Sequence, residues 1–373
     1  MKAIPQSIIE QIKDPTPDID GFMRLIRGQG RPEKMYLCEL FADQEIMKWV
    51  TENVFGGIWV PISADKETQK KHLLCEINYW YRMGYDYIRV TGGCDFSKTA
   101  HSFLAADTSA ELAKDKRYWA DMTGGIVKTE SDLERVDWPV VNDENLWMYE
   151  FVAKNLPDGM GILACPSSGF LEIPMEAIVG YEAMAMMSFE NPALLMRVFE
   201  KVREIILAIY SKVVQIPQVA GFFQGDDMGY KTSTMMSPDF LKQYSLPGHK
   251  TAAQIAHKHD KIYLLHSCGY LFEIMDYLID EVKIDGKQSY EDVIMPVEQF
   301  YKQYSGRTAV LGGLDIDILA AGDERLVRQR TRKILGECFH GGRYALGSGN
   351  TVTNYCRIEN VLAMFDEAFM FMR

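Results

Sequence analysis

Eight short apolar runs, each closed by Gly, Pro or Asp, alternate along this chain with longer amphipathic runs, and no other feature restricts the fold as much. The runs are 34–41 (KMYLCELF), 85–92 (YDYIRVTG), 160–166 (MGILACP), 221–227 (GFFQGDD), 261–267 (KIYLLHS), 282–288 (VKIDGKQ), 308–314 (TAVLGGL) and 342–348 (GRYALGS). Between them, 67–83, 191–216, 238–259, 270–280, 323–337 and 357–371 repeat apolar residues at three- and four-residue spacing, which predicts helices. Eight strand–helix units predict one closed (β/α)8 barrel of the TIM type, an α/β fold. A doubly wound open sheet yields a similar pattern, but no G-x-G-x-x-G follows the first strand. A single domain over 1–373 is expected, with a helical extension at 1–30. The stretch 94–140 is too long for a simple connection and reads as a lid-like insertion.

Composition removes several functions. Fifty-two acids against forty bases give a net charge of −12 without a dense Lys/Arg block, so a nucleic-acid surface is not expected. No stretch of eighteen apolar residues occurs and the N-terminal residues lack a signal-peptide pattern, so no membrane partner is expected and the reading is cytoplasmic. Seven scattered cysteines do not suggest a disulfide framework.

Barrels of this type build their sites at the carboxyl ends of the strands, and here those ends are polar. Glu39, Arg89, Asp226, Asp227 and Asp315 are the catalytic candidates. Gln224, Ser348 and Asn350, with His101 from the insertion, are the substrate-binding candidates. Alternation along a strand turns only one of Asp226 and Asp227 inward. Arg89, set in an apolar strand, needs either a carboxylate such as Glu39 or a bound anion. Lys287 reads as solvated or ion-paired, and His72, His249, His257, His259 and His340 read as surface residues. Most of the twenty-one methionines read as core filling. His266 and Cys268, two apart and so on one face, offer the imidazole and thiolate that zinc prefers, supplying two of the three protein ligands of a catalytic site. The alternative for the pair is a backbone-bonded histidine beside an inert buried thiol.

His266-Ser267-Cys268-Gly269, the following FEIMDYLIDEVKIDGKQSYEDVIMPVEQFYKQYSGRTAVLGGLDIDIL and the later GGRYALGSGNTVTNYCRIENVLAM resemble the uroporphyrinogen decarboxylase superfamily. That superfamily includes corrinoid-linked methyltransferases, and the resemblance is dense over 221–373 and thinner from 34 onward. It implies a TIM-like barrel, in agreement with the strand count. It also implies, for true decarboxylases, an Arg-rich loop after the first strand and an Asp after the second. Here Glu39 stands where the arginine motif begins, and Gly92-Gly93-Cys94-Asp95 replaces the second pattern. On the eighth strand Gly347-Ser348-Gly349 matches neither the Gly-His-Gly of decarboxylases nor the Gly-Cys-Gly of zinc methyltransferases. The H-x-C-G sequence is similar to the methyltransferase branch. The resemblance therefore implies transfer of a methyl group between a corrinoid and a small acceptor or donor, with zinc at His266 and Cys268. The third ligand would come from Glu39, Asp226, Asp227 or Cys94. Expected partners are a small-molecule substrate and a corrinoid protein or free cobalamin, and a homodimer is allowed for. Decarboxylation of a tetrapyrrole is the alternative, and a non-catalytic tetrapyrrole-binding or accessory barrel the second alternative.

Overall fold

The structure, a computed structural model, describes residues 4–96, 102–106, 116–120 and 125–372. Among them the strands are β1 (Tyr87–Thr91), β2 (Ser102–Ala106), β3 (Lys116–Ala120), β4 (Gly161–Cys165), β5 (Val219–Gly225), β6 (Ile262–His266), β7 (Gly286–Gln288), β8 (Ala309–Leu311) and β9 (Tyr344–Ala345). Seven of them form a parallel sheet in the order β1-β4-β5-β6-β7-β8-β9, while β2 and β3 make a separate antiparallel ribbon. The eighth position belongs to 36–40. Cys38 N donates to Leu346 O at 2.8 Å and Leu346 N to Tyr36 O at 2.9 Å, which joins this segment to the last strand. On its other side Tyr87 Oη donates to Glu39 O at 2.8 Å and accepts from Glu39 N at 3.0 Å, so a side chain ties it to β1. All eight expected runs therefore lie on the barrel wall in the expected order.

The expected helices form with small changes of boundary. The run at 238–259 breaks into Pro238–Tyr244 and Leu246–Lys258, because Pro247 has no N–H to continue the helix across Ser245. The helical extension is part of the core. Phe22, Leu25 and Ile26, from the helix Ile19–Ile26, pack with Tyr36, Tyr87, Phe223 and Ile262 and plug the amino end of the barrel. At Gly161 an added Cβ would sit 2.5 Å from Ile19, so only glycine lets this plug seat.

The lumen cluster also sets the phase of every strand. Cys38 and Leu40, Tyr87, Leu163, Phe223, Ile262 and Leu264, Leu311 and Ala345 point inward. By alternation Arg89, Cys165, Asp227, His266, Cys268 and Gln288 share that face, whereas Glu39, Gln224, Asp226, Lys287 and Ser348 point towards the surrounding helices. Met184 and Met187 fill the core as expected, and Met186 is exposed. His101 lies outside the described residues. No helix among the described residues is long and apolar enough to cross a membrane.

Candidate metal centre

At the carboxyl end of the barrel, the loops after β5 and β6 are drawn together backbone to backbone. Gly269 has φ +80°, and a Cβ there would lie 2.3 Å from the Gly229 carbonyl carbon; one on Gly229 would lie 2.6 Å from Cys268 O. The two loops are then cross-linked. Asp226 N donates to His266 O at 3.0 Å, Met228 N to Ser267 Oγ at 3.0 Å, Cys268 N to Asp227 Oδ1 at 2.8 Å and Tyr270 N to Tyr230 O at 2.7 Å.

This arrangement gathers three donor atoms. One ligand atom each from Asp227, His266 and Cys268 lies within 4.8 Å of the others. His266 Nε2 is 3.4 Å from Cys268 Sγ and 3.9 Å from Asp227 Oδ1. Ligands of a tetrahedral zinc with bonds of about 2.0–2.3 Å are about 3.3–3.6 Å apart, so the set fits zinc with little movement. The surrounding groups orient it. His266 Nδ1 donates to Gln288 Oε1 at 3.1 Å, which leaves the Nε2 lone pair facing the cluster, and Gln288 Nε2 donates to Asn350 O at 3.0 Å. Cys268 Sγ accepts from Asn350 Nδ2 at 3.3 Å and from Ser289 Oγ at 3.7 Å, and both bonds favour negative charge on sulfur. Burial lowers the His266 pKa and pushes the Cys268 thiol well up, so both groups are neutral until a cation displaces the thiol proton. Gln288→Leu is expected to weaken zinc affinity about 10–100-fold by freeing the imidazole. Competition against a chromophoric chelator measures this, and an unchanged affinity would remove Gln288 from the site.

The cluster opens into a cavity of about 300 Å³ bounded by Phe41, Arg89, Thr91, Ser167, Ser168, Glu172, Asp227, His266, Cys268 and Asn350. That volume is at the lower end of the range for small-molecule sites, about 300–1,000 Å³. Glu172 is a cavity residue that the sequence reading missed. It follows β4 and directly precedes a π-helical turn, Ile173–Ile178, and nothing in the local pattern singles it out. Burial, with Asp226 and Asp227 nearby, pushes its carboxyl well up.

Several expected site residues do not reach this cavity. The fully buried Asp226 accepts from Leu171 N at 2.9 Å, Glu172 N at 3.0 Å and His249 Nε2 at 2.7 Å, and Tyr263 Oη donates to His249 Nδ1 at 2.8 Å. It is a clamp between the wall and the helices, not a ligand. His249 is thus buried, as is His72, against the surface expectation for both. The apolar face Leu246, Ala252, Ala253 and Ala256 carries His249 at helical spacing, a signal available in the sequence. Glu39 is fully buried behind the lumen wall, where Ser348 Oγ donates to its Oε2 at 2.7 Å and Ser348 N donates to Oε1 at 2.5 Å. Neither Glu39 nor Ser348 borders the cavity, and Arg89 forms no ion pair with Glu39. Gln224 is buried and bonded to Tyr210 Oη and Ser167 O. Asp315 caps the helix Ile316–Ala321 through Asp317 N at 2.8 Å and accepts from Asp292 N at 2.7 Å, a loop-holding role. Cys94 is a core thiol outside the cluster. Lys287 is neither solvated nor ion-paired among the described residues. Burial lowers it to about 8, and Nζ lies 4.5 Å from the Tyr290 ring centre and donates to Ser289 O.

A sequence model of the uroporphyrinogen decarboxylase (URO-D) family matches residues 163–369, more than half of the chain. The chain belongs to the uroporphyrinogen decarboxylase family. Among solved structures, a methyltransferase from Methanosarcina mazei is similar to this family member with a TM-score of 0.70 at 14% identity, over 96% of this chain and 100% of the other. That likeness establishes a shared barrel fold. No curated protein matches the chain.

Proposed function

We propose that this family member is a methyltransferase that moves a methyl group between a corrinoid and a small acceptor or donor, with zinc held by Asp227, His266 and Cys268. The observation that carries the reading is the convergence of a carboxylate, an imidazole and a thiol, three donors with room left for a fourth, at the carboxyl end of a barrel. The methyltransferase from Methanosarcina mazei, which shares the fold, supports it. Zinc at these residues supplies a Lewis acid that makes a substrate thiol a nucleophile at neutral pH. The protein does the rest: Gln288 keeps Nε2 of His266 directed at the cluster, Asn350 and Ser289 hold the sulfur, and the cavity walls admit a small substrate and limit water. The corrinoid, free or on a partner protein, would enter from the cavity mouth of a single barrel domain; the expected lid at 94–140 lies in part outside the described residues.

Tetrapyrrole decarboxylation fits less well. Arg89 is the one Lys or Arg among the described residues bordering the cavity, too little positive charge for a substrate bearing many carboxylates. The test combines metal analysis with methylcobalamin turnover in the presence of a simple thiol, followed by the cobalamin spectrum. About one zinc per chain is expected, lost in Cys268→Ala together with thiol-dependent demethylation. Protein that takes up no zinc and leaves methylcobalamin intact with every thiol tried ends the proposal.

A further inference from the structure

Among the described residues, Arg89 is a cation without a counter-charge. It lies inside a strand whose neighbours Ile88 and Val90 are buried, and it shares the phase of the lumen residue Tyr87, so its side chain borders the cavity. Three strands round the wall, through β4 and β5, comes β6 with His266. Among the described residues no carboxylate comes within ion-pair distance of the guanidinium. One long hydrogen bond, Nη1 to Thr91 Oγ1 at 3.4 Å, and the Phe41 ring at 5.8 Å are its polar and ring contacts among the described residues. Nε is buried and has no hydrogen-bond partner. An arginine so placed costs stability unless an anion completes it, and the planar fork of a guanidinium matches a carboxylate.

The other acids of the cavity do not fill that role. Asp227 Oδ1 is engaged by Cys268 N, and the Glu172 carboxyl accepts from Gly169 N at 3.1 Å. Charge arithmetic points to a single negative charge. With zinc bound, the Asp227 carboxylate and the Cys268 thiolate cancel its two charges, burial favours the protonated form of Glu172, and Arg89 is left as the uncompensated charge of the cavity.

We infer that the cavity takes a small substrate bearing one carboxylate, which is held by Arg89 with hydroxyl support from Thr91 while its other end faces Asp227, His266 and Cys268. This takes from the proposed function only that the cavity is the substrate site. A salt-bridged carboxylate orients the substrate, so Arg89 determines specificity.

The experiment is calorimetric titration of the full chain, zinc-loaded and after chelation, with 3-mercaptopropionate and its neutral amide. The acid is expected to bind at least tenfold more tightly than the amide. In Arg89→Met the acid should fall to the affinity of the amide, and Arg89→Lys, a point charge without the fork, should recover part of the difference. Because Arg89→Met removes an unpaired charge, its thermal midpoint should equal or exceed that of the wild type, which shows that lost binding is not lost folding. Equal affinity for acid and amide in the wild type, or a preference that survives in Arg89→Met, overturns the inference, and so does displacement of the acid by equimolar inorganic phosphate. If chelation changes neither affinity while the acid preference persists, the carboxylate subsite is supported and the zinc reading fails on its own.

Discussion

Asp226→Ala is expected to destabilise the fold by about 3–5 kcal/mol, the range for removing one member of a buried hydrogen-bonded pair. The carboxylate is fully buried and satisfies Leu171 N, Glu172 N and His249 Nε2 together. Alanine leaves these three buried donors, with Ser245 Oγ at 3.5 Å beside them, without their acceptor, each costing about 1–3 kcal/mol. His249→Phe should cost less, since Asp226 then keeps both backbone donors and the ring keeps its place against Phe170. The measurement is urea unfolding, read as a lower midpoint at unchanged slope. A shift below about 0.5 kcal/mol for Asp226→Ala, the scatter of an ordinary surface substitution, would show that this clamp does not hold the wall to its helices.

The second large effect depends on pH. Glu39 is fully buried without a cation, and burial pushes its pKa from 4.5 to about 8, with the two Ser348 hydrogen bonds opposing only in part. A carboxyl whose pKa is higher folded than unfolded binds its proton more tightly in the fold. The Glu39 contribution to stability therefore falls as pH rises from about 4.5 to about 8 and is flat above that. The full loss is on the order of 3–5 kcal/mol, at about 1.4 kcal/mol per unit. Glu39→Gln keeps an acceptor for Ser348 N and offers an amide donor to Ser348 Oγ, yet carries no charge. The variant should match the wild type near pH 5 and exceed it by several kcal/mol near pH 9, as read by urea unfolding at the two values. An equal offset at both pH values would mean that Glu39 does not titrate with folding.

Both effects concern residues that strand-end position alone marks as catalytic, and the structure places both off the cavity. The reason is one step of phase. Glu39 lies between the lumen residues Cys38 and Leu40, and Asp226 lies one residue before Asp227, so each turns to the helix layer while its neighbour turns to the lumen. Gln224, Lys287 and Ser348 follow the same rule. His266 and Cys268 escaped the ambiguity because a pair two residues apart stays on one face whichever face that is. Asp227 was legible as one of a pair, with the choice left open. Glu172 was not legible, because it reaches the cavity through a loop and a π-helical turn that no periodicity describes.

The chain's own pattern determined the eight-unit barrel, its strand order and the cooperation of His266 with Cys268, because these follow from periodicities of 3.6 and 2 that are local properties of the residues. Which face of each strand became the lumen was decided only in the tertiary structure. A parallel barrel buries both faces of its strands, so hydrophobicity reads the same inward and outward, and only the plug of Phe22, Leu25 and Ile26 and the packed helices distinguish the two. That choice turned Asp227 towards His266 and Cys268 and left Arg89 facing the cavity with no ion-pair partner among the described residues.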